Sequence, residues 1–398
     1  MKHERLFTVL VLVITAATLS GQTRPKKFLT APLTIEDQGS FFVGGVKKIT
    51  DHASVPTLPA APTPPPDAPH QITIGQMYVQ FQIPARKYGG WPVIMVHGSA
   101  HTAAALESTP DGREGWYPYF VRKGVPSYVV DQSGRGRSGF DESVLNEGKG
   151  PGIPRITDDG AWTNWFGHLV PAKSTIRTGR LIPHGDPEDP DPHPDKFEHV
   201  TPLFPLEAVD EYYKQLVPNG EVTLPGSTCE SCDPKELSPA NTWTPQNLAT
   251  LVEQLGGAVV VTHSQAGIMG HHMARILKER GHLNLLKGLV TLEGSCSLPN
   301  SGLTAADFDN IPYMALKGDY TASSQVCDTT VNAIKARRAA GQGTAKADYI
   351  KLDELNNPIF NGTTHMMMLG TNNLEVADVI LNWAGKNIHA NTRSSAPK

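Results

Sequence analysis

The sequence predicts an α/β fold with a mostly parallel central sheet flanked by helices. Short apolar runs recur along the chain, and segments long enough for a helix separate them. Such runs are typical of strands covered on both faces, and their alternation with helices favours parallel βαβ units. Polar or glycine-rich residues follow most of the runs, where a parallel sheet collects its reactive groups. The runs lie at residues 91–96, 127–130, 258–261, 288–292 and 311–316.

Two further strands are predicted near the start of the chain. Residues 71–84 alternate apolar and polar side chains, and residues 39–44 form a shorter run of the same character. Between them, residues 56–69 hold seven prolines in 14 positions, a composition that is extended and cannot join a sheet. We interpret this stretch as a surface loop between two paired strands.

The chain has 398 residues and a formal net charge of -4, and it contains no block rich in lysine and arginine. This charge gives no indication of binding to nucleic acid or to an anionic membrane. A small or neutral substrate is therefore the expected partner.

The first 21 residues have the pattern of a secretory signal peptide. Lys2 and Arg5 precede an uncharged, mostly apolar run at 6–19, which is short for a membrane span, and small residues follow it. We predict that residues 22–398 form one exported domain without a membrane anchor, in a secreted or periplasmic location.

Cysteine usage agrees with export. The chain has four cysteines, and an even number in an exported protein favours disulfides. The predicted pairs are Cys229 with Cys232 and Cys296 with Cys327. One CxxC motif without nearby histidines is a poor zinc site, so we predict no metal and no cofactor.

Residues 141–242 interrupt the strand and helix rhythm. They are rich in Pro, Gly, Asp and His and contain aromatic islands, including Trp162, Trp165 and Tyr212. We interpret them as an insertion that lies over the carboxyl edge of the sheet and shapes a substrate pocket. The spacing of the histidines and aspartates fits no standard metal site.

Ser264 is the candidate nucleophile. It follows the apolar run at 258–261 and precedes a helix predicted from Ile268, so the chain must turn sharply between small residues. Here the G-x-S-x-G pattern reads Thr262-His263-Ser264-Gln265-Ala266. A simple turn is the alternative interpretation. A helix that begins beside Ser264 would favour the negative charge that develops during acyl transfer.

A serine hydroxyl needs an imidazole to remove its proton and a carboxylate to orient that imidazole. His365 lies on a predicted loop before the last helix, which is predicted from about Leu374 to Trp383. Asp319 and Glu293 each follow a predicted strand, and the residues alone leave the choice of acid open.

The remaining candidates are donors and apolar residues near the site. The backbone N–H groups of Ser99 and Gln265 are placed to bind a developing oxyanion. His263 and His272 are interpreted as packing or surface histidines. The methionines at 366–368 are interpreted as a pocket wall or core.

The runs TPDGREGW, DQSGRGRS, THSQAG, LEGS and NGTTHMMMLG resemble the bacterial secreted esterase family typified by the Alcaligenes esterase, within the α/β-hydrolase superfamily. The resemblance covers about residues 39–383. It implies a Ser-Glu-His triad, which selects Glu293 over Asp319, and it implies Ser99 and Gln265 as oxyanion donors and a homodimer. The chain departs from the family pattern at Ser99-Ala100, where relatives carry adjacent cysteines, and at Thr262 and Ala266.

These observations predict an exported serine carboxylesterase that hydrolyses small esters through an acyl-enzyme on Ser264. A lactonase or an amidase with the same triad is the nearest alternative. A catalytically silent binding protein on the same scaffold is an alternative of a different class.

Overall fold

The structure is a computed structural model that describes residues 28–50, 70–146, 152–166, 175–177, 180–182, 202–224, 243–319 and 323–389. The predicted signal peptide, the proline-rich stretch at 56–69 and the pair Cys229 and Cys232 lie outside these residues. The histidines and aspartates around 182–199, for which we predict no metal site, also lie outside the described residues.

Ten strands are described. They are β1 Ile35–Thr50, β2 His70–Pro84, β3 Val93–Val96, β4 Ser127–Asp131, β5 Thr175–Arg177, β6 Arg180–Ile182, β7 Ala258–His263, β8 Leu286–Leu292, β9 Tyr313–Lys317 and β10 Ala347–Lys351.

The α-helices are α1 Ala104–Glu107, α2 Trp116–Arg122, α3 Ser143–Asn146, α4 Asp158–Ala161, α5 Val209–Tyr213, α6 Trp243–Gln254, α7 Ala266–Glu279, α8 Gln325–Ala339 and α9 Asn373–Asn387. A π-helical turn spans Trp162–Phe166. Short 3-10 turns occupy Gly136–Ser138, Leu206–Ala208, Gly220–Thr223, Leu283–Leu285, Pro299–Ser301, Ala305–Phe308, Leu352–Leu355 and Pro358–Phe360.

Eight strands form one sheet in the order β1-β2-β4-β3-β7-β8-β9-β10. The pairs β1·β2 and β2·β4 are antiparallel, and the other neighbours are parallel. Within this sheet β2 therefore runs against the direction of the other strands. This arrangement confirms the predicted α/β fold with a mostly parallel sheet, and β5 and β6 form a separate antiparallel hairpin.

The apolar runs become central strands because both faces of the sheet are covered. Along β7, Val259 and Val261 pack in one buried cluster with α2 and α9, whereas Ala258 and Val260 pack in a second cluster with α6 and α7. Side chains alternate between the faces of a strand, so a strand covered twice must be apolar throughout. The buried methionines at 366–368 belong to the first cluster, as predicted.

The first strand, β1, is much longer than the run predicted at 39–44, whereas β2 matches the strand predicted at 71–84. β1 and β2 pair in one constant register from Asp37 opposite Ile83 to Thr50 opposite His70. The paired strands flank the proline-rich stretch, which agrees with its interpretation as a connection between them. Cross-strand pairing extends β1 through exposed positions that carry no apolar alternation.

The predicted pair Cys296 and Cys327 forms a disulfide, which joins the segment after β8 to the first turn of α8. None of the helices in the described ranges has both the length and the apolar character needed to cross a bilayer.

Candidate active site

Ser264 occupies the sharp turn between β7 and α7. Its φ angle is +54°, in the left-handed region that a non-glycine residue adopts at some energetic cost. The turn is held by a hydrogen bond from the Ser264 N–H to the Leu292 carbonyl (2.8 Å) and another from the Gly267 N–H to the Ser264 carbonyl (2.9 Å). This geometry directs the serine side chain away from the sheet, and Ser264 is partly exposed.

Two glycines allow this turn to lie against the end of the next strand. A Cβ on Gly267 would lie 2.8 Å from the Ser295 nitrogen, and a Cβ on Gly294 would lie 2.6 Å from the Ser264 carbonyl oxygen. The required glycine therefore stands one position later than the G-x-S-x-G pattern places it. Ala266, at the usual position, is buried without such a conflict in the first turn of α7.

Glu293 and His365 are joined by a short hydrogen bond of 2.5 Å between Oε2 and Nδ1. The Glu293 side chain is fully buried, and its Oε1 accepts a hydrogen bond of 2.6 Å from the Gly318 N–H. The backbone at Glu293 has a φ angle of +46°, which ends β8 and turns the carboxylate toward the histidine loop. Both carboxylate oxygens are therefore fixed.

Asp319 contacts the same loop but not the imidazole. Its Oδ2 accepts from the Gly362 N–H at 2.7 Å, and its own N–H donates to the Thr363 carbonyl at 2.8 Å. The carboxylate that the structure places against His365 is thus that of Glu293, whereas Asp319 fixes the backbone that precedes His365.

His263 lies beside His365, and the centroids of the two rings are 4.7 Å apart. Its Nε2 is 2.9 Å from the His365 carbonyl oxygen, so Nε2 carries the proton and donates. Burial, followed by the neighbouring His365, lowers the pKa of His263 well below its ordinary value and keeps the ring neutral. The sequence indicated a packing histidine, and its contact with the backbone of His365 was missed.

The predicted insertion supplies a wall beside the histidine. The Trp165 carbonyl accepts a hydrogen bond of 3.0 Å from the His365 N–H. The ring centroid of Trp165 lies 6.4 Å from that of His365 and 5.1 Å from that of His101, so the indole contacts both imidazole rings. Tyr212 continues this aromatic wall through its ring contact with His101.

No hydrogen bond joins the Ser264 hydroxyl to the His365 imidazole among the described residues. Hydrogen bonds between catalytic groups are often long in unliganded enzymes and tighten when substrate binds. The structure brings the acid and the imidazole together, and it places Ser264 directly after His263, whose ring contacts His365.

The two predicted oxyanion donors lie next to Ser264, because Gln265 follows it in the chain and Ser99 belongs to the loop that packs against it. A Cβ on Gly98 would lie 2.9 Å from the Ser264 Cβ, which shows how closely the loop after β3 approaches the turn at Ser264. The backbone N–H groups of Ser99 and Gln265 have no hydrogen-bond acceptor within the described part of the chain. Two unpaired donors next to a serine are suited to bind a developing negative oxygen.

Sequence reasoning missed the polar side chains that support these donors, namely Arg135, His101, Asn219 and Glu221. Arg135 lies in the run that follows β4, and its burial could not be read from a pattern of alternating glycine and arginine. Across the residues that the structure describes, no three His, Cys, Asp or Glu side chains group as they would around a metal ion.

Comparisons with known proteins agree with this fold. No family model matches the chain. A solved structure described as a novel bacterial esterase is 31% identical, and the superposition covers 91% of this chain and 99% of that one with a TM-score of 0.67. The probable secreted lipase phiG of Fungal sp. (strain ATCC 74256) is 25% identical over 353 residues, which cover 78% of this chain and 86% of that protein.

Proposed function

Because the chain belongs to the bacterial esterase family within the α/β-hydrolase superfamily, we propose that it is an exported serine carboxylesterase. The solved relative is an esterase and the fungal relative is a probable secreted lipase, so ester hydrolysis is the chemistry that the comparisons support. The proposed substrate is a small carboxylic ester.

The observation that carries the proposal is the buried Glu293 carboxylate bound to His365 Nδ1 beside the strained turn at Ser264. A carboxylate in this position fixes the imidazole tautomer with a free Nε2, which is the form that acts as a general base. The order Ser264, Glu293, His365 along the chain agrees with the order of nucleophile, acid and histidine in α/β-hydrolases.

In the first proposed step, the Ser264 oxygen attacks the ester carbonyl carbon while its proton moves to His365 Nε2. Glu293 stabilises the imidazolium ion that forms. The carbonyl oxygen becomes an oxyanion, and the N–H groups of Ser99 and Gln265 donate hydrogen bonds to it.

The tetrahedral intermediate then collapses. The carbon–oxygen bond to the alcohol breaks, and the alkoxide takes the proton from Nε2, which leaves an acyl-enzyme. Water attacks the acyl carbon and gives its proton to His365. The second tetrahedral intermediate breaks at the Ser264 oxygen, which takes that proton back as the carboxylic acid is released.

The composition of residues 1–21 and the probable secretion of the fungal relative support a proposed location outside the cytoplasm. We propose that residues 1–21 direct export and that residues 22–398 form the active protein, with residues 141–242 as a cap over the site. The homodimer implied by the family resemblance stays a prediction, which light scattering of the purified protein will test.

The test is labelling with a fluorophosphonate probe together with turnover of p-nitrophenyl esters of increasing acyl length. We expect labelling at Ser264, and we expect Ser264→Ala to lose both labelling and at least about 10³-fold in kcat. Folded wild-type protein that neither reacts with the probe nor hydrolyses any ester would contradict the proposal and favour a binding protein. Faster turnover of lactones or amides in the same panel would favour those activities.

A further inference from the structure

In the loop 97–101, called here the oxyanion loop, side chains bind the two carbonyl groups nearest to the Ser99 N–H, those of Gly98 and Ser99. The Gly98 carbonyl accepts from His97 Nδ1 at 2.8 Å and from Arg135 Nη1 at 3.0 Å. His101 Nδ1 lies 2.6 Å from the Ser99 carbonyl oxygen. Within the described residues, the Ser99 N–H is left without an acceptor between these bound carbonyls.

The tautomer of His97 follows from its partners. Its Nε2 accepts a hydrogen bond of 3.0 Å from the Gln132 N–H, so the proton must reside on Nδ1, which donates to the Gly98 carbonyl. Burial, and then the positive Arg135, lower the pKa of His97 to about 4 and keep the ring neutral. Two donors therefore converge on one carbonyl oxygen.

These donors determine the direction of the Gly98–Ser99 peptide. The C=O and N–H of a trans peptide point in opposite directions, so a carbonyl held on the Arg135 side directs the Ser99 N–H away from that side. Rotation of this peptide would break two hydrogen bonds, one of them to a cation, and would turn a carbonyl oxygen toward the site of the oxyanion.

Arg135 is itself held by the predicted insertion. Its guanidinium is buried, with 1% of the residue exposed, and it forms a two-point ion pair with the buried Glu221. Its Nη2 also donates to Gln265 Oε1 at 2.7 Å. One planar cation therefore contacts the insertion, the oxyanion loop and the residue that follows the nucleophile.

The two backbone segments next to Arg135 and Glu221 approach each other so closely that Gly134 and Gly220 leave no room for a side chain. A Cβ on Gly220 would lie 2.3 Å from the Gly134 carbonyl oxygen, and a Cβ on Gly134, at a φ angle of +86°, would lie 2.5 Å from the Glu221 Cα. The insertion also binds the oxyanion loop directly, through the Val217 N–H to the Ala100 carbonyl (2.9 Å) and the Ala100 N–H to Asn219 Oδ1 (3.1 Å).

We propose that Arg135, held by Glu221, is a positioning residue that locks the Gly98–Ser99 peptide with the Ser99 N–H directed at the oxyanion. The proposal rests on the proposed ester hydrolysis. Arg135 does not touch the reacting atoms; it acts through the peptide that it binds. A buried ion pair contributes little net stability compared with apolar packing, so a role in positioning gives a reason for it here.

The principal test replaces both partners by Arg135→Met and Glu221→Met, which leaves no unpaired buried charge. We expect kcat for a p-nitrophenyl ester to fall roughly 10- to 100-fold, since the full loss of one oxyanion donor costs about 10²- to 10³-fold. We expect KM to stay within about threefold, because the lost interaction is specific to the transition state. The affinity for a trifluoromethyl ketone, which forms a tetrahedral adduct with a serine hydroxyl, should fall by the same factor as kcat/KM.

The matched control is Arg337→Met with Asp309→Met. These side chains form another two-point ion pair, at 2.6 and 2.7 Å, between α8 and the segment before β9. This variant should keep the wild-type kcat and ketone affinity, even if its melting temperature changes. A purely structural role for Arg135 would give the same pattern in both double variants.

A second variant, Arg135→Lys, serves if the double variant does not fold. Lysine keeps a positive charge beside Glu221, but its compact ammonium cannot match the fork that reaches Glu221, Gly98 and Gln265 together. We expect kcat to fall in this variant while the fold is kept. A kcat within about threefold of wild type in either folded variant overturns the proposal. Absence of ester turnover and probe labelling in wild-type protein would instead remove the proposed function itself.

Discussion

The two sides of Ser264 are built differently. On the acid and base side, Glu293 and His365 meet through one direct side-chain hydrogen bond, and Asp319 and His263 fix the backbone around it. On the oxyanion side, the groups proposed to act are backbone N–H groups, so buried polar side chains must orient peptides instead. One hydrogen-bond partner can orient a side chain. The direction of a backbone N–H is instead fixed when the carbonyl group of the same peptide is hydrogen-bonded.

The largest loss of kcat is expected from a substitution on the acid and base side. Glu293→Gln removes the charge that stabilises the imidazolium ion and can present the wrong hydrogen-bonding group to His365, so kcat should fall by about 10²- to 10⁴-fold. Asp319→Asn is the matched comparison, because an amide oxygen can still accept from the Gly362 N–H. Its kcat should change by less than about tenfold. A greater loss of kcat in Asp319→Asn than in Glu293→Gln would reverse the assignment of the acid.

A smaller effect is expected from crowding the oxyanion side. Gly98→Ala places a Cβ 2.9 Å from both the Ser264 Cβ and His263 Nδ1, so the loop must move away from the turn at Ser264. We expect kcat to fall roughly 10- to 100-fold, since small misplacements of catalytic groups are costly. Gly90→Ala is the control, because a Cβ there meets no atom within 4 Å. Equal kcat values in the two variants would contradict the close approach.

Lowering the pH tests the stability of the folded protein through its buried histidines, two of which lie in the oxyanion loop and three of which, His263, His271 and His272, lie outside it. Burial lowers the pKa of His101 to about 3, and burial together with Arg135 lowers the pKa of His97 to about 4, from an ordinary value of 6.5. The unfolded chain therefore binds more protons than the folded protein below pH 6.5, so the free energy of unfolding falls as pH drops from about 6.5 toward about 4. Urea unfolding at pH 5.0 and pH 7.5 measures this fall.

His272→Leu isolates one histidine away from the site. His272 is buried in α7, neither ring nitrogen has a hydrogen-bond partner in the described residues, and burial lowers its pKa to about 4. The variant should lose a proton-linked penalty of about 2 kcal/mol at pH 5.0 and much less at pH 7.5. A difference in the free energy of unfolding between variant and wild type that is the same at both pH values would contradict the prediction.

The smallest effect on activity is expected at the disulfide. Cys296→Ala with Cys327→Ala opens a link across 31 positions, so the free energy of unfolding should fall by about 3 to 4 kcal/mol. The kcat of the folded variant should change less than about twofold, because Gly318 and the turn at Glu293 still fix the carboxylate. Denaturant unfolding and ester turnover measure the two quantities. A large loss of kcat would show that the acid side depends on the covalent link.

Much of the fold could be predicted because it depends on local patterns. The apolar runs marked the central strands, and the turn residues after them marked the edge of the sheet that carries Ser264 and the hydrogen-bonded pair of Glu293 and His365. The length of β1 could not be predicted, since its exposed positions are ordered by pairing with β2 rather than by their own hydrophobicity.

The candidate site could be predicted in part. The residues alone left Asp319 and Glu293 open, because both follow strands, and the family resemblance selected Glu293. The support from Arg135 and Glu221 could not be predicted, because 86 positions separate them and charged residues are ordinarily exposed. Only their burial in three dimensions distinguishes them from surface charges.

The hydrogen bonds that connect residues 217–221 to the oxyanion loop, directly or through Arg135, limit how the insertion can be replaced. Here a graft that replaced all of 141–242 would remove Val217, Asn219 and Glu221 together with the pocket wall. A chimera should therefore retain the native chain from Val217 onward and vary the segment before it.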